Sequence, residues 1–516
     1  MKFSRFFLSI LLAAALALLL ALLDAGSDTG RDWLAYGPVI VIAIALGYAV
    51  WRATGSDRRL ARAALVAALL RLSLGVTLML LLPVAGYLNN HHNRAGFFYE
   101  DAFGRNYRSW ELAVSGKPLV EAFSGKIEGD QYGGMMFLSA WLYRTFSADF
   151  HRPFLVLILN AAAGACGVLF LDYAARRWFG AAIAKKAAWG MAFYPEAVLL
   201  GATHMREAYI VPLVAMTLFG LARIQERHRD GWVWLLLAGL SLIGFSPLAM
   251  VTAFVVLFVF WLLEAGPRKD WKPLALMGAV LLIGILAVLF AWSKMPALQG
   301  RSPLQMAWQW VQTNIAYQAH LAERASGIVQ DLQGWVGPQW AWLVTMLYGV
   351  AQPVLPAIDP GAAWIMQVAG FLRGAGWYAL APLMLYAVMA VFRARRQPRR
   401  RQLIWLALFL WGWAAFTALI GGGDQWDNPR YRTFLLPWML LLAAWAWQWA
   451  LVQRDRWLWR WLAVEAFFVL SFLAWYITRY TLKFLHLGIR EMIVLNLLAA
   501  GVILGSGFVR KKGKRK

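Results

Sequence analysis

The chain has 516 residues, 61% of them hydrophobic, and a mean hydropathy of +0.56. That balance excludes an ordinary soluble protein, because many segments reach about 18 to 20 apolar residues, enough to cross a hydrocarbon core. The net charge of +24 would suit a nucleic-acid binder, but Lys and Arg gather at segment ends on alternate loops, as the positive-inside rule describes. A membrane β-barrel would show short alternating segments, and none is seen.

Lys2 and Arg5 precede a Leu/Ala run to Leu23 that resembles a signal peptide. The following DAGSDTGRD offers no convincing small-residue cleavage site, so the run reads as a retained first helix. Spans are expected at 6–23, 33–51, 63–83, 154–174, 187–202, 209–221, 232–245, 250–263, 273–290, 378–392, 403–419, 435–451, 457–477 and 493–508, about fourteen in all. This order puts every strong basic cluster on one side: Arg58/Arg59/Arg62, Arg176/Arg177, Lys185/Lys186, Arg223/Arg227/Arg229, Arg268/Lys269/Lys272, Arg393 to Arg401 and the tail RKKGKRK. Both termini are then cytoplasmic. Cys166 is the single cysteine and lies in an apolar segment, so no intramolecular disulfide holds the outer loops.

Two apolar stretches, Gly133 to Phe146 and Trp340 to Leu355, fall inside outer loops. Counting either as a crossing would invert every later basic cluster, so both read as interfacial or re-entrant helices of the outer face. The fold class expected is an all-α polytopic membrane bundle. Its expected parts are a helix pair over 1–62, a core over 63–453 and a C-terminal helix pair with a basic tail over 454–516. The outer loops are 84–152, 203–208, 293–374 and 421–432. The Ser293 to Gln339 segment is too short for a sizeable independent core.

Chemistry is sought on the outer loops. Glu100-Asp101 is an adjacent carboxylate pair followed by Arg105, Tyr107 and Arg108. A carboxylate can act as general base on a hydroxyl or hold a divalent cation, although acid pairs on loops are often only solvated. THMREAY, Thr203 to Tyr209, concentrates His204, Arg206 and Glu207 between two spans, where ionisable groups are costly. Arg206 can bind a phosphate in bidentate fashion; the bland alternative is an Arg snorkelling beside Glu207. GGGDQWDNPRYR, Gly421 to Arg432, places Arg430, Tyr431 and Arg432 outside, against the charge bias. A lipid phosphate or the nearby Asp424 and Asp427 would hold them there. His91-His92, with Asn89, Asn90 and Asn93, reads as loop surface, because adjacent imidazoles rarely make a metal site alone. Lys117, Glu121, Glu128 and Asp130 are further candidates that spacing does not rank. No P-loop, dinucleotide fingerprint, zinc-protease motif or GxSxG elbow occurs.

Several of these segments together resemble one family. YEDAFGRNYRSWELAVSGK resembles the acidic first-loop motif of the GT-C superfamily of membrane glycosyltransferases. GDQYGGMMFLSAWLYRTFS and the span ending in YAARRWFG are similar to the family's next segment. AFYPEAVLLGATHMREAYIVPL looks like its second outer loop, and NPRYRTFLLPWMLL like its late Arg-Tyr-Arg element. The resemblance covers roughly Ala63 to Leu451, in consistent order.

The resemblance implies an inverting transfer of a hexose or pentose from a polyprenyl-phosphate carrier to a lipid, glycan or protein acceptor on the outer face. That face would be the periplasmic side of a bacterial inner membrane. It implies Asp101 as base, with Glu100 as neighbour, and Glu207 as the second-loop acid. Arg206, Arg430 and Arg432 are the donor-phosphate candidates. A Mg²⁺ or Mn²⁺ ion on Asp101 and Glu207 is compatible with some members. Tyr107 sits further from Asp101 than in many relatives, which leaves Glu100 open as the base. An O-antigen-type ligase or polymerase, using Arg301, His320 and Arg324 of the late loop, is the nearest alternative. A flippase or transporter would need midplane charge, for which Arg71 is the main candidate, and internal repeats.

Overall fold

The computed structural model describes residues 2–24, 29–55, 57–124, 131–264, 271–293, 300–313, 327–357, 361–421, 426–482 and 487–509. Among them every regular element is helical, and ten helices are long and apolar enough to cross a membrane. Leu11–Leu23, Asp230–Phe245 and Pro247–Leu262 are shorter apolar helices. The protein is an all-α polytopic membrane protein. It divides into two compact units, Met1–Phe254 with Leu276–Ile285, and Val255–Ala275 with Leu286–Lys516.

The first unit holds α1 (Lys2–Leu23), α2 (Thr29–Ala53), α3 (Arg58–Ala85), the short α4 (His91–Arg94), α5 (Glu100–Val114), α6 (Gly134–Phe146), α7 (Phe154–Phe179), α8 (Ala181–Phe193), α9 (Pro195–Gly201), α10 (Glu207–Gln225) and α11 (Asp230–Phe245). The helices α12 (Pro247–Leu262) and α13 (Lys272–Ser293) contribute to both units. α7 is the central helix: 89% of its apolar window is buried. It is rich in Ala and Gly, and small residues let membrane helices approach closely. At Gly167 an added Cβ would lie 2.5 Å from Met191 and 3.0 Å from Pro212, so α8 and α10 both press on this point.

Ion pairs mark the two ends of this unit. Arg176 meets Asp57 at 3.6 Å and Arg177 meets Glu226 at 3.1 Å, so the basic ends of α3, α7 and α10 lie together. At the opposite end Arg152 pairs with Asp32 at 2.6 Å, and both side chains are buried. α6 has 13 residues, which at about 1.5 Å per residue is too short to cross a bilayer. In the outer segment 84–152, α6 coincides with the helix expected over Gly133 to Phe146, and α4 and α5 add helix where loop was expected. α5 buries Arg105, Asn106 and Ser109 and leaves Tyr107 and Arg108 outside, an amphipathic pattern hidden by the polarity of its buried face.

The segment 187–202, expected as one span, is broken at Tyr194. Pro195 lacks an N–H and disfavours helical backbone at the residue before it, and Tyr194 is extended there with ψ 115°. The break strands the last carbonyls of α8. Arg71 caps them, donating to Met191 at 3.1 Å and Ala192 at 3.3 Å, as well as to Ala67 at 3.0 Å. An added Cβ at Gly164 or Gly201 would lie 2.5 or 2.7 Å from this side chain. The midplane charge that a transporter reading would use is therefore a helix cap.

The second unit holds α14 (303–313), α15 (Gly327–Val336), α16 (Ala341–Ala351), α17 (Trp364–Arg393), α18 (Arg400–Ile420), α19 (Asp427–Arg432), α20 (Leu436–Gln453), α21 (Arg456–Tyr476) and α22 (Ile489–Val509). Its basic end is marked by Arg393–Asp455 at 2.6 Å and Arg399–Glu264 at 3.2 Å. α17 begins at Trp364, so the outer loop expected to run to 374 stops earlier. Gly370 and Gly374 admit close backbone and side-chain approach: an added Cβ would meet the Ala357 carbonyl at 2.5 Å and Leu355 at 2.8 Å. The expected loop 421–432 ends in α19.

Candidate active site

The polar end of the first unit gathers three elements. The N-terminus of α5 sets Glu100 and Asp101 in its first turn, where the positive helix end favours carboxylates. α5 lies against the 202–206 turn through an apolar contact of Phe97, Ala102, Leu200 and Met205. That contact buries the turn, which the sequence placed outside between two spans: His204 and Arg206 are 2% and 5% accessible, and Glu207 is 1% accessible. Asn160, within α7, holds the turn by donating to the Thr203 carbonyl at 2.7 Å. Sequence reading passed over this Asn, although a lone amide inside an apolar span was the available signal.

Arg105 ties the first loop to the second. Its Nη2 donates to Asp101 Oδ2 at 3.2 Å and its Nη1 points to Met205 Sδ at 3.3 Å. Asp101 and the residue preceding Arg206 thus share one side chain. The Arg105 side chain is 5% accessible and that of Asp101 50%, so the carboxylate opens to the outside while its partner is fixed. Glu100 is exposed.

Arg206 has its Nε 3.7 Å from Glu207 Oε1, and its guanidinium carbon stands 5.1 Å from the Tyr132 ring centre. Among the described residues, its Nε and Nη1 have no hydrogen-bond acceptor. Buried N–H groups of a cation without acceptors are costly, which marks a place where a ligand would supply them.

His204 is structural. It donates from Nε2 to the Pro153 carbonyl at 3.0 Å and packs on Phe97 at 5.1 Å. Burial holds its imidazole down at about 3, so it is neutral at pH 7. His151, hydrogen-bonded to Asn106 at 2.6 Å, is likewise lowered to about 4 by burial. Tyr107 stacks on Phe103 at 6.0 Å, Arg108 pairs with Glu111 at 3.0 Å and Lys117 with Glu121 at 3.8 Å, all exposed. His91 and His92 lie on α4, where burial lowers the His92 imidazole. Glu128 and Asp130 lie outside the described residues.

In the second unit, α19 buries Arg430 and Arg432. Arg432 donates to the Val350 carbonyl at 3.1 Å and the Gln352 carbonyl at 3.0 Å, and its guanidinium carbon stands 3.4 Å from the Trp377 ring centre. It caps α16. Arg430 meets Asp427 at 3.3 Å and lies over Tyr431 at 5.3 Å. Arg301 is exposed and bonded to Gln309 at 3.3 Å. His320, Arg324 and Asp424 lie outside the described residues.

The carboxylates expected to hold a metal each face a guanidinium, Asp101 that of Arg105 and Glu207 that of Arg206. Among the described residues no three of His, Cys, Asp and Glu converge. Among the described residues this donor set does not fit a divalent cation, and no step below runs through one.

No family model and no curated protein matches the chain. Among solved structures it is similar to the archaeal oligosaccharyltransferase AglB from Archaeoglobus fulgidus in complex with an inhibitory peptide and a dolichol-phosphate. Identity is 13% and TM-score 0.41, over 86% of this chain and 55% of that one. It is also similar to the Archaeoglobus fulgidus oligosaccharyltransferase in complex with zinc and sulfate, at 15% identity and TM-score 0.41, over 79% and 51%. The chain spans about half the length of these proteins. At this level the likeness assigns neither activity nor residues to it.

Proposed function

We propose that the chain is a GT-C-type membrane glycosyltransferase that moves a sugar from a polyprenyl-phosphate carrier to a lipid, glycan or protein acceptor at its outer face. The observation that carries the reading is Arg206, a buried outer guanidinium with two N–H groups lacking acceptors among the described residues, joined through Met205 and Arg105 to Asp101. The order of family-like segments along the chain supports the same reading.

Asp101 is the base. A hydroxyl of the acceptor attacks the anomeric carbon on the face opposite the phosphate, and its proton passes to the Asp101 carboxylate. The bond between the anomeric carbon and the phosphate oxygen breaks, its electron pair stays with the phosphate, and the configuration inverts. Arg206 donates to the phosphate oxygens as charge develops there. Glu207 orients that guanidinium, and Arg105 orients Asp101. Glu100, exposed on the same first turn, shapes the approach of the acceptor. Arg430 is the second candidate for the phosphate.

The test is turnover by the purified full-length chain of a panel of polyprenyl-phosphate sugars, with released carrier as the readout. Release from at least one donor, lost in Asp101→Asn, is the expected result. No release from any donor with any acceptor class, by folded protein in lipid, would sink the reading.

A further inference from the structure

The second unit contains a cavity of ≈ 470 Å³ that the transfer chemistry does not use. It lies between the outer helices α15 and α16, the segment 352–357 and the outer ends of α21 and α22. Its size falls within the roughly 300–1,000 Å³ of small-molecule sites. The walls are apolar, built by Leu332, Leu347, Leu355, Phe468, Phe472 and Ile493. Among the described residues no carboxylate, imidazole or thiol lines it, and its polar side-chain groups include the amide of Gln352 and the phenols of Tyr348 and Tyr476.

Two cations stand beside this cavity. Arg479 has its guanidinium 5.1 Å from the Trp475 ring centre, and Arg490 stands 5.9 Å from that of Trp335. Both indoles line the cavity. Both arginines are exposed, and Arg490 also donates to the Asp331 carbonyl at 3.4 Å. They occupy the outer ends of two spans, where the positive-inside rule works against Arg. α21 and α22 bury only 6% of their apolar windows, so the hairpin that walls the cavity faces lipid. An apolar cavity flanked by two outer guanidiniums is complementary to a single kind of membrane component, a chain of hydrocarbon ending in an anionic headgroup.

We propose that this cavity seats one acyl chain of an anionic phospholipid, with Arg479 and Arg490 on its phosphate. The occupant is a resident lipid rather than the sugar carrier, because none of the residues assigned to the transfer lines the cavity. The hairpin Arg456–Val509 thereby gains a partner that fastens it to the outer helices, and the site stands independently of the transferase reading.

The test uses the full-length chain in liposomes containing phosphatidylglycerol with a photoreactive diazirine midway along one acyl chain. After irradiation, labelled peptides should map to 332–357 and 468–493. Excess unlabelled phosphatidylglycerol should compete, and neither phosphatidylcholine nor undecaprenyl phosphate should. The double variant Arg479→Gln/Arg490→Gln keeps the exposed positions polar and should lower this labelling by at least about tenfold, the loss of two solvent-screened charge-assisted contacts. Ile493→Trp, which fills the cavity, should abolish it at unchanged labelling elsewhere. Uniform labelling of all lipid-facing helices, or labelling indifferent to both variants, would overturn the proposal. Competition by undecaprenyl phosphate but not by phosphatidylglycerol would equally overturn it, by making the cavity a carrier site.

Discussion

Arg206→Ala removes a guanidinium that is 5% accessible and has two N–H groups, Nε and Nη1, without acceptors among the described residues. A hydrogen bond from a charged donor contributes about 1.5–3 kcal/mol. Two such bonds to a phosphate give roughly 3 kcal/mol at the lower limit, a loss of about 150-fold in carrier affinity. Arg206→Lys keeps the charge but not the planar fork, so it should lose about one bond, near tenfold. Stability must be separated from binding. The Ala variant leaves Glu207, 1% accessible, beside an empty space. Breaking a buried pair costs about 3–5 kcal/mol, and the 3.7 Å separation here puts this one at the low end. Arg206→Ala/Glu207→Gln removes the buried carboxylate charge as well and should recover stability without recovering affinity. The assay is titration of detergent-solubilised protein with polyprenyl phosphate, followed by native mass spectrometry, with thermal unfolding run in parallel. Wild-type affinity in folded Lys and Ala variants would refute the assignment and pass the role to Arg430.

Asp101→Asn should bind the carrier normally yet turn over at least about 100-fold more slowly, whereas Glu100→Gln should remain near wild type; the opposite ranking in single-turnover assays would make Glu100 the base. Arg432→Gln should lower the unfolding temperature, because it releases two carbonyls and a Trp377 contact, while carrier affinity stays unchanged. Burial sets an acid limit on stability. His204 takes up its proton near 6.5 when unfolded but only near 3 when folded, so its contribution is present above pH 6.5 and is lost as pH falls. The loss at pH 5 should be about 2 kcal/mol, and unfolding of His204→Asn measured from pH 7 to pH 5 should show a shallower decline. In intact cells Ser115→Cys should react with a membrane-impermeant thiol reagent and Lys185→Cys should not, against a buried native Cys166; the reverse pattern would invert the orientation.

The sequence by itself determined the helical membrane class. Hydropathy and charge act over whole segments and do not depend on what a helix touches, so ten of the fourteen expected spans coincide with helices long and apolar enough to cross a membrane. It also marked Asp101, Arg206 and Glu207 as candidates, since ionisable groups beside apolar helices are conspicuous wherever they pack. Packing decided the rest. Arg71, Arg432 and His204 were conspicuous in the sequence as well, Arg71 as the midplane charge of a transporter reading and the other two as site candidates. The first two turned out to cap stranded carbonyls, and the third to be a neutral donor to Pro153. What separates these residues is whether a buried polar group finds its partner within the chain. That depends on contacts such as Arg71 with Met191 or Arg105 with Met205, between residues on the order of a hundred positions apart, and no local pattern encodes them.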